Sequence, residues 1–83
     1  MNRTTFGSQF TPLFNGKAKN GKVDVKGFHS LMGKIMECRQ KMNHDSFEVS
    51  LEMATDIWAK AGFAGSVDVQ SAVNFTWELV NDG

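Results

Sequence analysis

The sequence predicts a mainly α-helical fold, four helices set as two helix–loop–helix units and joined by a short two-stranded antiparallel ribbon. Three observations carry this expectation. Gly21-Lys22-Val23-Asp24-Val25 recurs as Gly65-Ser66-Val67-Asp68-Val69, 44 residues further on (21 to 65). At the same offset Thr11 matches Thr55, Leu13 matches Ile57 and Phe14 matches Trp58, so an aromatic stands seven residues before each glycine. Apolar residues keep helical spacing on both sides of each loop. Self-similarity at a fixed period marks a repeated supersecondary unit. The first unit covers about residues 6–41 and the second about 45–81, within one domain spanning 1–83.

The first helix is expected over Ser8 to Asn15, fraying back towards Thr4, with Phe6, Phe10, Leu13 and Phe14 on its apolar face. Pro12 removes a backbone donor and crowds the carbonyl four residues earlier, so it fits best near the first turn of a short or kinked helix. Residues 15–22 read as a loop, because the Asn15-Gly16 and Asn20-Gly21 pairs tolerate positive φ. Lys22 to Val25 are extended. A single second helix then runs from about Lys26 to Lys41, with Phe28, Leu31, Met32, Ile35 and Met42 as its stripe.

Asn43 to Ser46 connect the units, and Asp45 with Glu48 has the spacing of a capping box that starts the third helix. That helix is expected to reach Lys60, its face formed by Phe47, Leu51, Ala54 and Trp58. Residues 61–65 form the second loop, and Ser66 to Val69 repeat the extended segment. The fourth helix covers about Gln70 to Asn81, with Ala72, Val73, Trp77 and Val80 inward and Phe75 and Leu79 towards a neighbouring face.

Composition narrows the function. The formal net charge is zero, which gives no whole-chain attraction to nucleic acid or to a membrane surface. The charge is uneven: residues 1–38 carry six Lys/Arg against two Asp/Glu, and residues 39–83 carry three against seven. One cysteine, Cys38, cannot form an internal disulfide and suggests a reducing, cytoplasmic setting. No stretch approaches the ~18 apolar residues of a membrane span. His29 and His44 have no second ligand at helical spacing, so zinc is not expected. Asp24 and Asp68 occupy equivalent repeat positions and read as caps of the following helices, not as an acid–base pair. With no nucleophile motif or phosphate loop, the chain is not expected to be an enzyme or to carry a cofactor. The lysines over 17–22 are near enough in sequence to touch phosphate, although a solvated loop explains them better.

The repeated unit resembles the EF-hand, and the pair resembles one lobe of calmodulin. The carriers are Gly21 and Gly65 at the sharp turn, Val23 and Val67 two residues later, and Phe14 and Trp58 at the ends of the incoming helices. The resemblance covers about residues 6–80. It sets calcium ligands at loop positions 1, 3, 5, 7, 9 and 12. Counted from the glycines, these are Gly16, Ala18, Asn20, Lys22, Asp24 and Gly27, then Lys60, Gly62, Ala64, Ser66, Asp68 and Ser71. Each loop keeps one carboxylate, and Gly27 or Ser71 replaces the bidentate glutamate. Calcium binding is therefore not expected.

What remains by resemblance is a calcium-independent lobe similar to the small light chains of myosins. Such a lobe would bind and stiffen an amphipathic IQ-type helix of a myosin heavy chain and be cytoskeletal in location. The resemblance sets the groove at Phe14, Phe28, Met32, Ile35, Leu51, Ala54 and Phe75. Methionine adapts to varied apolar surfaces, and Met32, Met36, Met42 and Met53 suit such a role. The family's lobes are strongly acidic and this chain is neutral, which favours one dedicated partner. The alternative is a small regulatory or inhibitory protein, of viral or other origin, acting through protein binding.

Overall fold

The computed structural model describes residues 1–81 and is mainly helical. Five helices occur in the order α1 (Arg3–Asn15), α2 (Val25–Ser30), α3 (Met32–Lys41), α4 (Leu51–Lys60) and α5 (Val69–Asn81), with β1 (Lys22–Val23) and β2 (Val67–Asp68) between them. β1 and β2 pair antiparallel, Val23 opposite Val67 and Lys22 opposite Asp68. The ribbon is therefore where the repeat placed it. Val23 is fully buried and Val67 only partly so.

Equivalent residues of the repeat do equivalent work. Gly21 and Gly65 hold φ of +76° and +83°, a conformation that costs glycine nothing and a β-branched residue a great deal. Asp24 accepts a hydrogen bond from the Gly27 backbone N–H at 2.9 Å and so caps α2. Asp68 accepts from the Ser71 backbone N–H at 3.1 Å and from its hydroxyl at 2.7 Å, at the start of α5. Both satisfy donors that a first helical turn leaves without partners.

The boundaries differ from the sequence expectation in four places, each with a local cause. α1 starts at Arg3, where the Asn2 side chain accepts from Thr5 N–H at 2.8 Å, so Pro12 lies near the end of a 13-residue helix. Packing outweighs the missing donor: Phe6 stacks on Phe10 at 4.3 Å and meets Trp77 at 5.4 Å, which joins α1 to α5. Of the two Asn-Gly pairs only Asn20-Gly21 takes positive φ at both residues, whereas Gly16 stays right-handed at φ −66°. Lys19 and Lys22 exchange both backbone hydrogen bonds around that turn, as in a type I′ hairpin.

The expected single second helix is broken at Leu31. The Ser30 hydroxyl donates to the Gly27 carbonyl at 2.7 Å, and Leu31 N–H bonds Phe28 in place of Gly27. Such back-bonding by serine bends helices. The third expected helix starts later than the Asp45–Glu48 pattern implied. α4 begins at Leu51, capped by the Ser50 hydroxyl, which accepts from Met53 N–H at 3.1 Å. Residues 44–50 form no helix at all.

α3 and α4 end alike. His44 N–H bonds the Arg39 carbonyl and Asn43 N–H the Gln40 carbonyl, with Asn43 at φ +62°. Phe63 N–H and Gly62 N–H repeat this on Trp58 and Ala59. These are Schellman caps. The second carries the expected apolar clasp, with Phe63 edge-on to Trp58 at 4.9 Å. α1 packs on α5, α2 on α4 and α3 on α5. The core between them is aromatic: Phe28 lies 5.1 Å from Trp58 and 5.6 Å from Phe75.

Candidate protein-binding surface

The groove set by resemblance is mostly closed core. Phe14, Phe28, Ile35 and Ala54 are fully buried. Phe75 is half-buried within the ring cluster of Phe28, Trp58 and Phe63. A partner reaches none of the four buried residues without parting the helices. Leu51 takes the other extreme, exposed by 42% at the first residue of α4. Met32 lies between: it is 6% exposed, yet it forms part of the floor of a surface hollow.

That hollow is the candidate site. It has a volume of about 470 Å³ and is lined by Met32, Gly33 and Met36 of α3 and by Ser46, Phe47, Glu48 and Val49 of the connection. A second hollow of about 320 Å³ shares Glu48 and Val49 and adds Ser50 and Met53. Phe47 and Met53 are each 44% exposed. Large apolar side chains held out in water around a concave apolar floor are a recurrent mark of interaction sites. Met32, Met36 and Met53 supply a surface that can repack around varied shapes.

The connection that builds this surface is anchored on both sides. Arg39, buried in α3, donates through Nε to the Asp45 carbonyl at 2.8 Å and through Nη1 to the Leu79 carbonyl at 2.6 Å. The second bond satisfies a carbonyl in the last turn of α5, where a cation also suits the helix dipole. The Arg39 guanidinium carbon lies 5.5 Å from the Phe47 ring centroid, within cation–π range. His29 Nε2 lies 2.9 Å from the Val49 carbonyl oxygen, and Gln40 Nε2 donates to the Ser46 hydroxyl at 2.7 Å. These tertiary bonds hold residues 44–50 out of helical conformation and explain why the Asp45–Glu48 cap never forms. They also turn Phe47 away from the core face on which helical spacing placed it.

The connection and α4 up to Trp58 carry acidic charge only, while α3 brings Arg39 against Phe47. Between Met42 and Ala59 the chain carries Asp45, Glu48, Glu52 and Asp56 and no lysine or arginine. Glu48 lines both hollows. An apolar floor beside carboxylates suits a ligand that is apolar on one face and cationic at its margins.

Sequence reasoning missed the key residue, Arg39. Its position four residues before Asn43 carries no motif; the only signal was a lone arginine at the end of an otherwise apolar stripe. Cys38 is buried, and that burial pushes its thiol above the usual value, so it remains a protonated packing residue at neutral pH. Among the described residues no group of three His, Cys, Asp or Glu side chains is placed to hold a metal ion. Asp24 and Asp68 are engaged as caps. No described helix is long and apolar enough to cross a membrane. No family model matches this chain, and neither a curated protein nor a solved structure shows significant similarity to it.

Proposed function

We propose that this protein is a calcium-independent, EF-hand-like binding lobe that docks a cationic amphipathic helix on the hollow between α3 and the 44–53 segment. The observation that carries the reading is the exposed Phe47 and Met53 around the Met32–Met36–Val49 floor, in a stretch whose only charges are acidic. The repeat, the Val23–Val67 ribbon and the packing of α1 on α5 and α2 on α4 support the paired-unit architecture. The IQ-type helix of a myosin heavy chain has this chemistry and is the partner named by resemblance. The binding face is moved: the side chains between the helices serve the core, and the lateral surface serves the partner.

The test is calorimetry with a synthetic basic amphipathic peptide of IQ type, in chelator and again in calcium. Micromolar or tighter binding, the same in both, is expected. Phe47→Ala and Met53→Ala should each weaken it by about tenfold or more while leaving thermal stability nearly unchanged, as for a partly exposed interface anchor. Binding that requires calcium, or that survives both substitutions, refutes the proposal. Failure of all basic helices to bind leaves the regulatory or inhibitory reading in its place.

A further inference from the structure

A second, chemically opposite cleft is built around the Asn20-Gly21 hairpin. A cleft of about 330 Å³ is lined by Lys17, Lys19, Lys22 and Lys26, with Asp24, Gly27, Ser30 and Ser66 between them. We infer that this cleft binds a compact oligophosphate anion, held by four ammonium groups that the fold draws together.

The backbone brings them there by specific means. The Asn20-Gly21 turn makes Lys19 and Lys22 a directly opposed pair, with Lys19 N–H to Lys22 O at 2.8 Å and Lys22 N–H to Lys19 O at 3.0 Å. Directly opposed residues of an antiparallel ladder project from the same face, and like charges so placed repel. Lys17 is drawn in by Gly27: a Cβ there would stand 3.2 Å from the Lys17 Cβ and 3.1 Å from the Val23 Cγ1. Lys26 follows from the first turn of α2.

The nearby acids offset the group only in part. Asp24 lines the cleft with one oxygen bonded to the Gly27 N–H, and Asp68, across the ribbon from Lys22, is held by Ser71 and more weakly by the Lys22 charge, so two carboxylates stand against four ammonium groups. The only ion pair among the described residues is Arg3 with Glu78, in another part of the surface. The arrangement thus concentrates repulsion that an alternating sequence would avoid. A multivalent anion would relieve it.

The chemistry of the anion follows from the scale. The whole chain is formally neutral, and charges beyond about 8 Å are screened at physiological salt. Attraction is therefore local, which selects a short, highly charged group over a long polyanion. Lysines act as point charges on phosphate oxygens, and the Ser66 hydroxyl adds a neutral donor at the rim. A di- or triphosphate group, free or on a nucleotide, has this character.

The experiment titrates the full chain with inorganic tripolyphosphate and follows backbone amide NMR signals at physiological salt. Saturable shifts confined to residues 17–27 and Ser66 are expected. Lys19→Gln/Lys22→Gln should weaken binding by about tenfold or more, through loss of two of four cationic contacts. The same variant should melt at an equal or higher temperature without ligand, because it removes the opposed charges. Lys34→Gln/Lys41→Gln, on α3, should leave binding unchanged. A nucleoside triphosphate arm separates the sources: equal affinity shows that the phosphate chain alone is read, and tighter binding shows a nucleotide. Non-saturating shifts, shifts spread over all lysines, equal losses in both double variants, or tighter binding of a single-stranded oligonucleotide would overturn the inference.

Discussion

Phe28→Ala separates a closed core from an open groove. Phe28 is fully buried, with Trp58 at 5.1 Å and Phe75 at 5.6 Å. Truncating such a residue to alanine costs about 3–5 kcal/mol, the transfer of the ring plus the cavity left behind. A chain of 83 residues has a total stability of about 4–12 kcal/mol, so the substitution removes about a quarter of it at least. Urea unfolding followed by tryptophan fluorescence is the assay, since Trp58 reports directly on the site. With a slope of about 1–2 kcal/mol per molar, the midpoint should fall by about 1.5 M or more, or the chain should be unfolded in buffer. The companion variant is Phe47→Ala, whose ring is 44% exposed and rests over Arg39. Its loss is limited to surface packing and a cation–π contact, about 1 kcal/mol or less. If the two variants shift the midpoint equally, or if Phe28→Ala weakens peptide binding with little loss of stability, the closed-core assignment is wrong.

Four further outcomes can be measured. Val23→Asp should destabilise far more than Val67→Asp in thermal unfolding, because Val23 is fully buried and its ribbon partner only partly so. Ser50→Ala removes the cap of α4 and should cost about 1 kcal/mol, with amide exchange rising first around residues 51–53. Arg39→Met should leave the helices intact by circular dichroism but speed amide exchange over 44–50, since it deletes the bonds to Asp45 and Leu79. Asp68 gives a pH dependence: the Ser71 hydroxyl and backbone N–H hold its carboxyl below the usual range. Its stabilising effect is complete above the unfolded-state value of about 4 and is lost as pH falls through the lower folded-state value. Amide exchange at the start of α5 should rise as pH falls below about 4, and Asp68→Asn should abolish that change.

Short-range chemistry was legible in the sequence wherever one residue type has one use. The two glycines, the two capping aspartates and the facing valines were readable because turn, cap and ribbon each depend on neighbours within a few positions. Helix ends were less so. Pro12 suggested a short first helix, and only the Phe6, Phe10 and Trp77 cluster, formed with residues over 60 positions away, supports the longer one. Leu31 looked interior to a helix because Ser30 can face solvent or bond backwards with no change in pattern. The candidate surface was hardest to read. Spacing put Phe47 and Leu51 on one face with Ala54 and Trp58, and that pattern is the same for a helix that buries all four. The bonds of Arg39 and His29 to backbone carbonyls far along the chain decide otherwise, and a carbonyl has no signature in sequence.

The same bonds bear on the proposed function, because they would let the candidate surface be presented without an ion. In calcium-triggered lobes the metal changes the angle between helices and exposes apolar surface. Here the interhelical space is filled by Phe6, Phe10, Phe14, Phe28 and Trp58, and parting it would expose rings worth several kcal/mol. A hollow on the side avoids that cost, provided something holds it open. Arg39 meets the requirement: one guanidinium joins the connection at Asp45, the last turn of α5 at Leu79 and the face of Phe47. His29 fixes the far end at Val49. The connection cannot fold onto the core as a helix while these bonds stand, so Phe47 stays in water without a trigger, beside Met53 on the first turn of α4. On the proposed reading, the braced connection would do for this surface what a bound ion does in calcium-triggered lobes.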